Sequence, residues 1–159
     1  MPRFRSFYYF YREGVCMVSN ILESLESRLC LSSPHYVVGP AFTDNGTTLS
    51  ASGSVAGLGN EDVTVVLNAS GTGTIVCTNP AGKVAPGQTK ELNVSGSQTI
   101  TDVKNGRVDF NVTTAEPVAP PDACPNPKWT AKVTDVDFNS ATLIVQQGGE
   151  TVLTSTQTF

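Results

Sequence analysis

Two near-identical tetrapeptides, Cys77-Thr78-Asn79-Pro80 and Cys124-Pro125-Asn126-Pro127, carry the side chains best suited to chemistry in this chain. Paired cysteines either close a disulfide or give thiolates to a metal. A structural zinc site needs four ligands, and here there is no CxxC pair and no histidine close by, so the metal reading leaves the ligand set incomplete. The only histidine, His35, stands at the edge of the N-terminal segment. Asp135-x-Asp137-x-Asn139 has the opening spacing of an acidic calcium loop, yet neither the glycine nor the closing glutamate follows in place. Two outward-facing acids on a strand account for it better. No nucleophile and base are marked by sequence, and no glycine-rich phosphate loop is present. The expected catalytic, metal and cofactor sets are therefore empty, and the chain reads as a protein that is not an enzyme. Trp129 and Tyr36 are the aromatic side chains that could stack on a sugar ring, and a lone tryptophan opening a strand is expected in the core. Sequons stand at Asn45, Asn68, Asn93 and Asn111, a number that a chain rich in Asn, Ser and Thr produces by chance.

These residues lie in a stretch of 159 residues with a net charge of −4. Residues 1–35 hold four Arg and three Glu, so the remainder carries about −5. Its basic residues Lys83, Lys90, Lys104, Arg107, Lys128 and Lys132 are scattered among acids. Phosphate binding needs clustered cations, so nucleic acid is not an expected partner. No apolar run is long enough for a membrane helix, and no membrane span is expected in the domain.

The N-terminal segment differs from the rest. Its aromatic run Phe7-Tyr8-Tyr9-Phe10-Tyr11 is closed by Arg12-Glu13, short of the apolar core of a secretory signal. The Glu13-Gly14-Val15-Cys16 stretch lacks the setting of a lipid-modified cysteine. Further on, Leu25-Glu26-Ser27-Arg28-Leu29-Cys30-Leu31-Ser32 resembles the LEPR-x-LLS tag of planctomycete extracellular proteins. The match rests on Leu25, Glu26, Arg28, Leu31 and Ser32, with Ser27 and Cys30 standing where the tag has proline and leucine. The same residues also fit a short amphipathic helix, with Ile21, Leu22, Leu25 and Leu29 at helical spacing, and a sorting tag can itself be read as a helix. The resemblance implies export, with residues 1–35 as a leader and 36–159 as one domain. In the oxidising compartment it implies, a bridge between Cys77 and Cys124 is the expected outcome, tying two loop ends at one pole of the domain. Cys16 and Cys30 would leave with the leader.

From Tyr36 onward the pattern has period two. Val63, Val65, Leu67 and Ala69 alternate with Thr64, Val66, Asn68 and Ser70, and Val108, Phe110 and Val112 alternate with polar residues. Strands are expected near 37–43, 47–56, 62–70, 73–78, 90–101, 107–114, 129–138, 141–147 and 151–158. Asn45-Gly46, Asn105-Gly106 and Gly148-Gly149 predict two-residue turns. They would place Phe42 opposite Leu49, Lys104 opposite Arg107, and Val145, Ile144 and Leu143 opposite Val152, Leu153 and Thr154. A proline-rich passage, Glu116 to Pro127, should cross between sheets as a stiff extended loop. The whole predicts an all-β fold, an antiparallel β-sandwich of eight or nine strands, Ig-like in architecture. It is not a true Ig domain, because Trp129 follows both cysteines where that family places it between them. Its last strand, rich in Thr and Gln, is an edge able to pair with a neighbour.

Stretches such as Ala56-Gly57-Leu58-Gly59-Asn60, Ala85-Pro86-Gly87-Gln88 and Cys124-Pro125-Asn126 resemble those of small secreted bacterial β-proteins of unassigned activity. The implied function is a non-catalytic secreted or cell-surface module with a structural, adhesive or ligand-binding role, its partner a cell-envelope glycan or protein. The alternative is a hydrolase inhibitor that presents the 117–127 loop, since a preorganised loop loses less entropy on binding.

Overall fold

The structure is a computed structural model and describes residues 33–159. Residues 1–32, with the tag residues Leu25, Glu26, Arg28, Leu31 and Ser32 and with Cys16 and Cys30 among them, lie outside the described residues; of the expected leader only residues 33–35 are described, and His35 opens the first strand. Eight strands follow one another: β1 (His35–Asp44), β2 (Leu49–Ala56), β3 (Val63–Thr78), β4 (Val84–Pro86), β5 (Lys90–Ile100), β6 (Val108–Thr113), β7 (Thr130–Gln147) and β8 (Glu150–Thr158). All pairings are antiparallel. One sheet runs β1-β2-β6; in the other, β3 is flanked by β7 and then β8 on one side, with β5 and β4 in tandem on the other.

The two sheets pack as a β-sandwich, and the period-two pattern explains why. In β3 the odd positions Val63, Val65, Leu67, Ala69, Ile75 and Cys77 are all buried, while the even positions face outward. All of them but Cys77 meet Leu49, Ala51 and Val55 of β2, Val108, Phe110 and Val112 of β6, and Leu143 and Val145 of β7 in one hydrophobic cluster. Each fully buried Leu, Val or Phe contributes about 1.5–3 kcal/mol.

Two expected strand pairs prove to be single long strands. The Gly71-Thr72-Gly73 stretch reads as a break, yet β3 runs through it. Gly71 and Gly73 sit at inward positions where a Cβ would meet the backbone of Phe138 and the side chain of Leu92. Neighbouring bulk takes the space their side chains leave. In β7 the alternation fails because the strand is bulged twice, between the partners of Ser70 and Gly71 and between those of Thr74 and Ile75. Each bulge adds one residue and flips the parity. The buried set therefore passes from Val133 to Val136 and Phe138, then to Ala141, Leu143 and Val145.

The turns divide similarly. Asn105 (φ 55°) and Gly106 (φ 65°) are both left-handed, as a type I′ turn requires, and Lys104 stands opposite Arg107. The two cations turn to different partners: Lys104 Nζ reaches Asp102 Oδ2 at 2.9 Å while Arg107 Nε donates to Ser54 Oγ at 3.1 Å. This turn does not close a paired hairpin: it carries the chain from the five-stranded sheet to the three-stranded one. The first turn departs from expectation, for Phe42 faces Ala51 and not Leu49. The loop spans residues 45–48, held by Asn45 N–H to Thr48 O (2.9 Å) and Gly46 N–H to Asp44 Oδ1 (2.8 Å). Gly148 (φ 58°) and Gly149 (φ 87°) make the two-residue turn between β7 and β8. A bulge at Val152 then shifts the expected register by one, so that Val145 faces Leu153, Ile144 faces Thr154 and Leu143 faces Ser155.

The segment from Thr114 to Trp129 joins the three-stranded sheet to the five-stranded one, without regular secondary structure through Pro120 and then folded into turns and bends. Among the described residues no helix is long and apolar enough to cross a membrane.

Candidate functional site

The cysteine tetrapeptides meet at one pole of the sandwich. Cys77, fully buried near the end of β3, and Cys124, in the loop before β7, stand at disulfide distance with Cα atoms 5.8 Å apart. Each motif uses its asparagine in the same way. Asn79 Oδ1 accepts from Ala81 N–H (3.0 Å) and Lys83 N–H (2.8 Å), and Asn126 Oδ1 accepts from Lys128 N–H (3.0 Å). An asparagine side chain that stands in for a backbone carbonyl tightens the turn after each cysteine. Ala123, also fully buried, accepts Gln88 N–H at 3.1 Å, and Lys90 Nζ reaches Asp122 Oδ2 at 2.8 Å. The Lys90 hydrogen bond and charge hold the Asp122 carboxyl below its usual range. The 120–128 end of the loop is thus fastened three ways, while Val118 ahead of it is 86% exposed.

Trp129 is not in the core. It precedes β7, half-buried, and lies outside the hydrophobic cluster, whose buried aromatic rings are Phe110 and Phe138. Its backbone N–H donates to the Asn126 carbonyl oxygen at 3.0 Å, so the turn after Cys124 fixes it at the rim. Tyr36 packs against the core from β1, opposite Val55. The two aromatics are therefore set by different elements, the 124–129 turn and β1. Asp135 and Asp137 face outward on β7 as an ordinary strand pair, and among the described residues no group of three His, Cys, Asp or Glu is gathered to hold a metal. Asn45 lies in the first turn, and Asn68, Asn93 and Asn111 are exposed on β3, β5 and β6.

The outer face of the five-stranded sheet escaped the sequence reading. Strand order places the outward residues of β5, β3, β7 and β8 in rows: Asn93, Ser70, Ser140 and Thr158 in one, Ser95, Asn68, Thr142 and Thr156 in the next. Ser70 Oγ lies 2.7 Å from Ser140 Oγ and 3.2 Å from Asn139 Oδ1, so Ser70 donates to the amide oxygen and accepts from Ser140. One row further, Thr72 Oγ1 donates to Glu91 Oε1 at 3.0 Å. The short side chains of the two central rows leave a shallow depression of about 370 Å³ whose polar lining is Asn68, Ser70, Asn93, Ser95, Ser140 and Thr142, with Ala69, Val94 and Ala141 between them. It is uncharged, and each lining hydroxyl or amide both donates and accepts. No local pattern signals this surface, because its members come from three strands whose adjacency only the strand order supplies.

Compared with known proteins, the chain matches no family profile, no curated protein and no solved structure.

Proposed function

We propose that this protein is a non-catalytic, secreted or cell-surface β-sandwich module that binds a neutral, hydroxyl-rich ligand of the cell envelope, a glycan in chemical class. The observation that carries this reading is the uncharged depression on the outer face, where side-chain hydroxyls and amides converge across three adjacent strands. Such groups match the alternating donors and acceptors of a sugar. The Cys77–Cys124 pair suits work outside the cell, where disulfides persist. The LEPR-like tag at Leu25–Ser32 points the same way. Retention of the purified protein on cell-wall polysaccharide, and its loss in Ser70→Val and Asn93→Leu, is the expected result. Equal retention of the variants would refute this face as the site.

A second reading has its own observation. Val118, 86% exposed between Pro117 and Pro120, rides on a loop fastened at Ala123, Cys124 and Asp122, the form of a preorganised inhibitor loop. Inhibition of a secreted hydrolase that Val118→Asp abolishes would favour it over the glycan reading.

A further inference from the structure

The sandwich guards most of its strand edges. The edges of β5 and β6 cover one another: Asn111 N–H donates to Gln98 Oε1 at 3.0 Å and Ala115 N–H to Ser95 O at 2.9 Å. Strand β4 has three residues and ends in Pro86. Along β1 the ladder is broken by register shifts between Tyr36 and Val38 and between Val38 and Ala41, with Pro40 inside the second. Bulges, prolines and short strands are the usual devices that prevent edge pairing. Strand β8 carries one bulge at its start and then runs unbroken from Leu153 to Thr158. From Thr151 to Phe159 the chain has no charged side chain, proline or glycine. Among the described residues no strand pairs with its far side.

The ladder fixes which groups that edge offers. Phe159 N–H donates to Asn139 O at 3.1 Å, toward β7. Alternation along an antiparallel strand then turns the N–H and C=O of Thr154, Thr156 and Thr158 outward. Gln157 Nε2, bonded to Thr158 O at 2.7 Å, shows that this carbonyl lies off the ladder. The edge also complements itself. With Thr156 on a two-fold axis, Thr154 faces Thr158, Ser155 faces Gln157, and the half-buried Leu153 faces Phe159, which is 53% exposed. Threonine meets threonine on the outer side and apolar meets apolar on the inner.

We propose that β8 pairs antiparallel with β8 of a second copy of this chain about a dyad at Thr156, joining two five-stranded sheets into one continuous sheet. About six backbone hydrogen bonds form, two at each of the pairs 154–158, 156–156 and 158–154, once the Gln157 amide releases Thr158 O. The interface is isologous and closes at two copies. The joined sheets extend the hydroxyl and amide rows of the outer face from one copy to the next, though the pairing itself does not depend on what that face binds.

Sedimentation of the full chain should show a concentration-dependent dimer. Thr156→Lys puts two cations opposite each other without touching the β7 ladder, and it should weaken the dimer about tenfold or more. Thr156→Cys should form a cross-link mapped to 156–156, because a hydrogen-bonded antiparallel pair holds its Cα atoms about 5.5 Å apart, within disulfide reach. A wild-type protein that stays monomeric to millimolar concentration overturns the proposal. So does a dimer unaffected by Thr156→Lys, or one in which Thr156→Cys gives no 156–156 product.

Discussion

Gly96 of β5 lies against the backbone of Thr113 in β6 so closely that a Cβ at 96 would overlap the Thr113 carbonyl oxygen. This is where the edges of the two sheets meet, and the contact exists because residue 96 has no side chain. Gly96→Ala must push the sheets apart, at a cost of about 1–3 kcal/mol typical of overpacking. Gly39→Ala, with open space around its Cβ, should leave the denaturation midpoint unchanged. Urea titration of both variants checks the difference, and equal midpoints would mean that the sheets do not touch at Gly96.

The staple at the pole should matter to stability. Closing the Cys77–Cys124 loop, a separation of 47 residues, removes denatured-state entropy worth about 4 kcal/mol in the chain-entropy model. The double variant Cys77→Ala, Cys124→Ala should lose a comparable amount in chemical denaturation, and dithiothreitol should affect the wild type alone. An unchanged midpoint in the double variant would show that the pair does not restrain the unfolded chain.

Tyr36 presents the opposite case. Its hydroxyl is buried and, among the described residues, has no hydrogen-bond partner, and burial pushes its pKa above 10.0. Tyr36→Phe removes the desolvated group and should hold or raise stability by about 1 kcal/mol. For the wild type the sign is fixed by the raised pKa: the neutral phenol contributes fully below 10.0, and that contribution is lost as pH rises through the folded value. Thermal melts near and above pH 10 should decline less in the Phe variant. A Phe variant less stable at neutral pH would mean that the hydroxyl is hydrogen-bonded after all.

The fastened loop should loosen in acid. Asp122 is held below 3.8, first by its hydrogen bond from Lys90 and then by the charge of Lys90. A depressed carboxyl contributes above its unfolded value and loses that contribution as pH falls through the lower folded value. Amide exchange at residues 120–128 should therefore quicken below pH 3.8 in the wild type, once corrected for the intrinsic rate. In Asp122→Asn the corrected rate should already be raised at neutral pH and flat into acid. Identical profiles would show that the ion pair does not hold the loop.

Alternation made the class of fold legible, since a face of Val, Leu and Ala along 63–69 admits little but a half-buried strand. Turn chemistry was legible at Asn105-Gly106 and Gly148-Gly149, whose positive φ follows from residue type. What escaped depended on partners distant in sequence. Gly71 and Gly73 looked like a break because the residues that fill their space, Phe138 and Leu92, are remote. The bulge at Val152 moved a register that the turn alone would set. Trp129 looked like core by composition, while the turn held by Asn126 keeps it at the rim. The polar face was invisible for the same reason: Asn93, Ser70 and Ser140 become neighbours only once β5, β3 and β7 are adjacent.

The most direct test of that face is a heteronuclear NMR titration of the protein with soluble cell-wall oligosaccharides. The account predicts saturable shifts clustered at Asn68, Ser70, Asn93, Ser95, Ser140 and Thr142. Shifts confined to residues 117–127, or none at any oligosaccharide concentration, would contradict it.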